Sequence, residues 1–285
     1  MALSELELGW KSSIPHPGYN PDGESRAFYS LYYNYHGRNR KNNILENRED
    51  SPDESRRSLL RRVYPFISSL PKESFVLDLG AGRQIFEKEY EDKYGNKPIC
   101  HIITVDIADI PKDRLLAKDC PHVQATGQSL PFRDEQFDAV ISNMAFDFML
   151  PLPQATTELY RITKGNASIF LNLHHPSLVN YDIDRELSKV ARKMRHKHQN
   201  RKTNNEKLRL KTAVFLHHKH LRDNRLLFET DDQIVRCFSD GGFDIKSIEI
   251  KSDSNDKWWE VDLAKKTMAN KKHLEPSGTI FTRQP

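Results

Sequence analysis

The stretch VLDLGAGRQIF, residues 76–86, decides how the chain is to be read. Val76, Leu77 and Leu79 form a short apolar run suited to a buried strand. Gly80 and Gly82 interrupt it, and RQIFEKEYEDKYG then continues with helical character. A strand that turns through glycines into a helix can bring its backbone amides close to a ligand, with no side chain in the way. Such a ligand lies beyond the carboxyl ends of the strands. The dinucleotide fingerprint GxGxxG would need a glycine at position 85, which is Ile85, so that class is excluded. An acid, Asp78, stands two residues before Gly80 instead.

Outward from this point the same alternation repeats. HIITVDIAD (101–109), FDAVISNM (137–144) and ASIFLNLHH (167–175) read as buried strands, and PQATTELYRITKG (153–165) reads as a helix between two of them. Strands separated by helices predict an α/β fold with a parallel sheet wound on both faces. Further on, ETDDQIVRCFSDGG predicts a helix stopped by Gly241–Gly242. FDIKSIEIKS and WWEVDLAKK follow as two strands joined by a polar loop. Before the central block, SRRSLLRRVYPFISSL predicts a helix with Leu59, Val63, Phe66 and Ile67 on one face, capped by Asp53 or Ser55.

Composition bounds the function. The 285 residues are 37% hydrophobic and 29% charged, enough chain to bury a core without staples. No apolar run approaches the ~18 residues of a membrane span, and the N-terminal MALSELELGWKSS lacks a basic-then-apolar signal layout. Three cysteines without CxxC spacing fit a reducing compartment, so a cytoplasmic protein is expected. The net charge of +4 does not announce nucleic acid; the basic stretch 185–222 is the one place where positive charge gathers. The HHKH run at 217–220 lacks the spacing of a metal site and reads as a surface cluster, so no metal is expected.

VLDLGAGRQIF, taken with ATGQSLPFRDEQFDAVIS (125–142) and ELYRITKGNASIFL (158–171), resembles the class I S-adenosylmethionine-dependent methyltransferases, in particular small-molecule types carrying an LPF…FD motif. The elements stand in family order over residues 74–176, and more loosely over 228–266. The resemblance implies a Rossmann-like, doubly wound seven-stranded sheet with one antiparallel edge strand, an N-terminal helical cap and a basic insertion. It sets the domains at 1–73 (cap and substrate lid), 74–267 (methyltransferase domain, with a lid insertion at about 177–227) and 268–285 (tail).

The cofactor it implies is S-adenosyl-L-methionine, leaving as S-adenosyl-L-homocysteine, held by Asp78, Gly80, Ala81, Gly82, Asp106, Ile107, Thr126, Gly127, Gln128 and Asn143. Asp106 would accept the ribose hydroxyls, since a carboxylate takes both O–H donors. Three positions depart from the family pattern. Gln84 replaces the third glycine, Thr126 replaces the acid at the adenine, and Gly165–Asn166 stands where Pro-Gly-Gly is common.

For catalysis, His175, His174 and Asp147 lie at strand ends where substrate should sit, and histidine suits a general base because its ordinary pKa is ~6.5. His175 is placed first. Tyr33 and Tyr35 are expected to line the substrate side. The implied reaction is methyl transfer to an O or N of a small molecule or a natural-product or peptide intermediate. The alternatives are an RNA or protein methyltransferase using the basic insertion, and a non-catalytic binding protein of the same fold.

Overall fold

The computed structural model describes residues 54–94, 100–117, 119–149, 151–175, 228–252 and 257–266. Tyr33, Tyr35, the 185–222 stretch, the HHKH run and the tail lie outside the described residues.

Seven strands form one sheet: β1 (Phe75–Leu79), β2 (His101–Asp106), β3 (His122–Gln124), β4 (Phe137–Asn143), β5 (Thr163–His174), β6 (Phe243–Ser252) and β7 (Lys257–Lys265). Their spatial order is β3-β2-β1-β4-β5-β7-β6. The first five run parallel, and β7 enters antiparallel between β5 and β6. This is the doubly wound, Rossmann-like sheet expected, and its antiparallel strand is β7, with β6 outside it at the edge. The order reverses between β1 and β4, so the chain leaves these neighbours in opposite directions and opens a crevice at their carboxyl ends.

Among the described residues four helices flank the sheet: α1 (Glu54–Ser69), α2 (Ile85–Tyr94), α3 (Leu152–Ile162) and α4 (Asp231–Asp240). Period-two alternation sorts β1 between two cores. Val76 joins Leu59, Val63 and Ile67 of α1 and Phe86 and Tyr90 of α2. Leu77 and Leu79 join Leu159 and Ile162 of α3 and Ile234 and Phe238 of α4 on the other face. Asp78 therefore shares the parity of Val76, on the α1–α2 side.

Thr230 caps α4 by accepting from the Gln233 amide, and Gly241–Gly242 ends it as expected, with Gly242 at φ 92. Two sequence expectations needed adjustment. α1 is already helical at Glu54, so Ser55 lies within it rather than capping it. β3 is three residues long with one buried side chain, too short to give an apolar run, and among the described residues only the 3-10 turn Lys112–Arg114 separates it from β2.

A polar clasp fastens α1 to the antiparallel side of the sheet. The Arg62 guanidinium pairs with Asp262 and lies 3.4 Å from Glu260 of β7, and it donates to Asn172 of β5 at 2.5 Å. Glu260 also accepts from the Ser58 hydroxyl and from Trp258 Nε1. Removing one member strands a buried carboxylate, which is worse than never having built the pair. Arg62→Ala should therefore lower stability by about 2–4 kcal/mol in urea unfolding, with an unchanged m-value.

Candidate functional site

The loop after β1 is tied to the end of β2. The amides of Gly80 and Ala81 both donate to the Val105 carbonyl, at 2.8 and 3.0 Å. Gly80 has φ 82, and a Cβ there would stand 2.3 Å from the Ala145 Cβ, so only glycine lets the β1 and β4 loops come this close. The Gly82 amide donates to Asp106 Oδ2 at 2.8 Å, and the Ala108 amide donates to Oδ1 at 2.8 Å. Asp106 is thereby fixed at the carboxyl end of β2. Burial pushes its pKa up to about 6 against the opposing pull of the Ala108, Gly82 and Ile107 amides.

Gln84 keeps the left-handed backbone of the glycine it replaces, at φ 64. That conformation costs a non-glycine residue ~1–2 kcal/mol. Its amide donates to Thr104 Oγ1 at 2.9 Å and to the Cys120 carbonyl at 3.1 Å, inside the protein. These bonds offset the strain, and the side chain is fully buried.

The second wall is the segment around Thr126. Ala125 donates to the Asp106 carbonyl at 3.0 Å, and Thr126 and Ser129 form a bridge that turns the chain. Gly127 packs under Met149, where a Cβ would meet the Met149 sulfur at 2.2 Å. Gln128 is buried, and the Thr126 hydroxyl oxygen is buried without a partner. α3 anchors the segment. Glu158 accepts from the Leu130 amide at 2.8 Å, while Arg161 donates to the Phe132 and Leu130 carbonyls and pairs with Glu158 and Asp134. The paired carboxylates push the Arg161 pKa upward. These two α3 residues are one helical turn apart, a spacing that was visible as ELYR but carried no positional meaning until the fold placed it under this loop.

The third wall is formed by the ends of β4 and β5. Asn143 accepts from Asn172 Nδ2 at 3.1 Å. Asp147, fully buried in the turn Phe146–Phe148, accepts from the His174 amide at 3.0 Å, and its Oδ2 lies 2.9 Å from His174 Nδ1. The other Asp147 oxygen has no partner. His174 packs its ring on Phe148, at 4.6 Å between centroids. His175 instead lies against Trp259, at 5.3 Å, with its pKa pushed down by burial and by Lys257. Of the three proton-transfer candidates, the structure joins His174 with Asp147 and sets His175 apart.

Behind the first wall, on the α2 side, Asp78 and Glu87 bring two buried carboxyls together. Burial pushes Asp78 up to about 7; its hydrogen bond to Glu87 opposes this and the charge of Asp106 adds to it. Burial and Asp78 raise Glu87 as well. Glu87 was not picked out from the sequence, because one acid in the first turn of a helix reads as an ordinary helix-end charge.

Residues 77–171 match the model of the family described as methyltransferase domain, and no curated protein matches the chain as a whole sequence. Among solved structures, the chain is similar to 1,6-didemethyltoxoflavin-N1-methyltransferase of Burkholderia thailandensis, with a TM-score of 0.51 and 10% identity, covering 89% of this chain and 93% of that one. It is also similar to a SAM-dependent methyltransferase of Aquifex aeolicus, with a TM-score of 0.44 and 12% identity over 74% of this chain and 93% of that one. The central segment thus matches a methyltransferase-domain model, and the chain shares the Rossmann-like methyltransferase fold.

The raised carboxyls have a consequence for stability. An acid whose pKa rises on folding binds its proton more tightly in the folded state, so the stability it contributes is present below pH about 4 and lost as pH rises through its folded value. For Asp106 and Asp78 those values are about 6 and about 7. The unfolding midpoint of the ligand-free protein should therefore carry a downward component between pH 5 and 8. Asp78→Asn, which buries no ionisable group, should flatten that component and raise the midpoint at pH 8 by about 3 °C or more in a thermal melt.

Proposed function

We propose that the protein is an S-adenosyl-L-methionine-dependent methyltransferase acting on an oxygen or nitrogen of a small molecule. The observations that carry this reading are an Asp106 carboxylate held by the Gly82 and Ala108 amides at the carboxyl end of β2, and a Thr126 hydroxyl buried without a partner. The donor set fits a nucleoside. Asp106 keeps lone pairs beyond its amide bonds to accept ribose hydroxyls, and the Thr126 hydroxyl can donate to a ring nitrogen or accept from an exocyclic amine. Asp78, whose carboxyl is the partner for the cofactor's ammonium, and the loop at Gly80, Ala81 and Gly82, together with Ile107, Gly127, Gln128 and Asn143, supply the rest of the cradle. Where the family's acid is missing, the hydroxyl of Thr126 offers a partner for the same group.

When bound, S-adenosylmethionine supplies an activated sulfonium methyl, so the task left to the protein is to position the acceptor and exclude water. A hydroxyl acceptor must also lose a proton. The contact between Asp147 and His174 Nδ1 favours the tautomer with hydrogen on Nδ1, leaving Nε2 free to take that proton. This geometry favours His174 over His175 as the base, with Asp147 as its positioning residue. A small-molecule acceptor is supported by the Burkholderia enzyme, whose structure holds 1,6-didemethyltoxoflavin and S-adenosylhomocysteine on the same fold.

Calorimetric titration of the full chain with S-adenosylmethionine and S-adenosylhomocysteine tests the reading. Micromolar binding is expected. Asp106→Ala should weaken it at least tenfold, about 1.4 kcal/mol. Absence of binding at millimolar concentration would overturn the reading. Incubation of a cell extract with methyl-labelled cofactor should place label in the low-molecular-weight fraction. Label confined to RNA or protein would overturn the small-molecule part alone.

A further inference from the structure

One buried carboxyl is left unused by this reading. Glu87, in the first turn of α2, is 2% exposed, and apart from its own backbone amide neither of its oxygens finds a donor among the described residues. Its side chain reaches that of Asp78, which is itself 5% exposed and stands two residues before Gly80. Asp106 adds a third acid, close enough to act on Asp78. Among the described residues, no Lys, Arg or His forms an ion pair with any of the three.

The groups facing the pair do not supply the missing positive charge. Glu91 lies along α2, and Cys120, ahead of β3, feels Glu87, Asp78 and Glu91 and has its thiol pushed upward by burial. His122 Nδ1 lies 2.9 Å from Thr104 Oγ1, and burial lowers its pKa, which keeps it neutral. Tyr64 of α1 and Tyr90 of α2 pack ring to ring in the same layer. Lys88, the next residue on α2, is engaged with Asp92. Two carboxyls held together away from water, with a third nearby and no cation, do not both ionise at neutral pH; they hold one proton between them. The raised pKa of Asp78, about 7, agrees with this.

Resting on the cofactor assignment above, we infer that Glu87 acts through Asp78 as a proton store for the cofactor's ammonium group: binding expels to solvent the proton that Asp78 and Glu87 share in the ligand-free protein. The cofactor and its product both carry an ammonium. Brought beside Asp78, that cation provides the charge the pocket lacks and makes full ionisation of the pair favourable. Glu87 is thus a positioning residue that sets how strongly the pocket prefers a cationic amino-acid end and how that preference depends on pH.

The test is calorimetry of the full chain with S-adenosylhomocysteine at pH 7, in phosphate and in Tris, whose different ionisation heats report protons released. In the wild type, release approaching one proton is expected, with affinity rising by up to about tenfold per pH unit between pH 6 and 8. Asp106 also releases part of a proton, so the variant carries the argument. Glu87→Gln should still bind while losing at least half of the release and most of the pH slope. Glu87→Met serves as a second variant if the amide impairs folding, which a thermal melt will report. Release unchanged in the variants, or no release in the wild type, would overturn the role of Glu87 and leave the cofactor site standing. Release with S-adenosylmethionine but not with S-adenosylhomocysteine would overturn the ammonium assignment, because only the former carries the sulfonium charge. Failure of both ligands to bind would overturn the cofactor site, and this inference with it.

Discussion

The close approach of the β1 loop to the β2 and β4 ends is the constraint on which the rest of the site depends. Within five residues the backbone enters the left-handed region three times, at Gly80, Gly82 and Gln84. Each turn aims an amide back at the sheet or frees the next residue to do so. Gly80 and Ala81 donate to Val105, Gly82 donates to Asp106, and α2 is launched with Glu87 in its first turn beside Asp78. Placing a Cβ at Gly80 would push the β4 loop away through Ala145, and that loop leads directly to Asp147. The cradle on one side of the crevice and the His174–Asp147 pair on the other are therefore coupled through one glycine.

The parallel sheet was legible because its central strands are short apolar runs bounded by glycines and polar turns, and their length and their Val, Ile and Phe content separate them from helices. Asp78, Gly80, Gly82 and Asp106 were legible as a group because their order along the chain reflects adjacency across β1 and β2, which pair in register from Phe75–His101 onward. What escaped was set by contacts between distant elements. β3 has one buried side chain and no pattern. The Glu158–Arg161 anchor looks on paper like any charged helix turn. The choice between His174 and His175 could not be made from two adjacent histidines, because it rests on which face of β5 meets the turn at Asp147.

The departures from the family pattern also needed the fold for their meaning. Gln84 stands where the family pattern has a glycine, and the loop keeps a left-handed residue there while the Gln84 Nε2 donates to Thr104 and Cys120 beneath it. The Gln84 side chain is half satisfied there: its Nε2 donates twice, while its Oε1 is buried without a partner. Thr126 differs. Its oxygen is buried and unpartnered, so the ligand-free protein carries an unmet hydrogen bond there, a penalty of ~1–3 kcal/mol that a polar ligand can relieve. One departure gains two hydrogen bonds within the protein through Gln84 Nε2, and the other gains none for the Thr126 hydroxyl.

The same distinction separates the buried carboxyls. Asp147 and Glu87 both lie within the protein and both belong to short turns or helix starts, but their supply of donors is opposite. Asp147 receives the His174 amide and contacts its ring nitrogen, which fixes the imidazole in one orientation. Glu87 finds no donor beyond its own backbone amide among the described residues and faces another acid. A carboxylate with donors is a fixed acceptor that can orient a neighbour; a carboxyl without them is a group that keeps its proton until a cation arrives. Hydrogen-bond supply, which no reading of residue types can provide, is what divides these two carboxyls: one orients a neighbouring imidazole, and the other lies buried against a second acid.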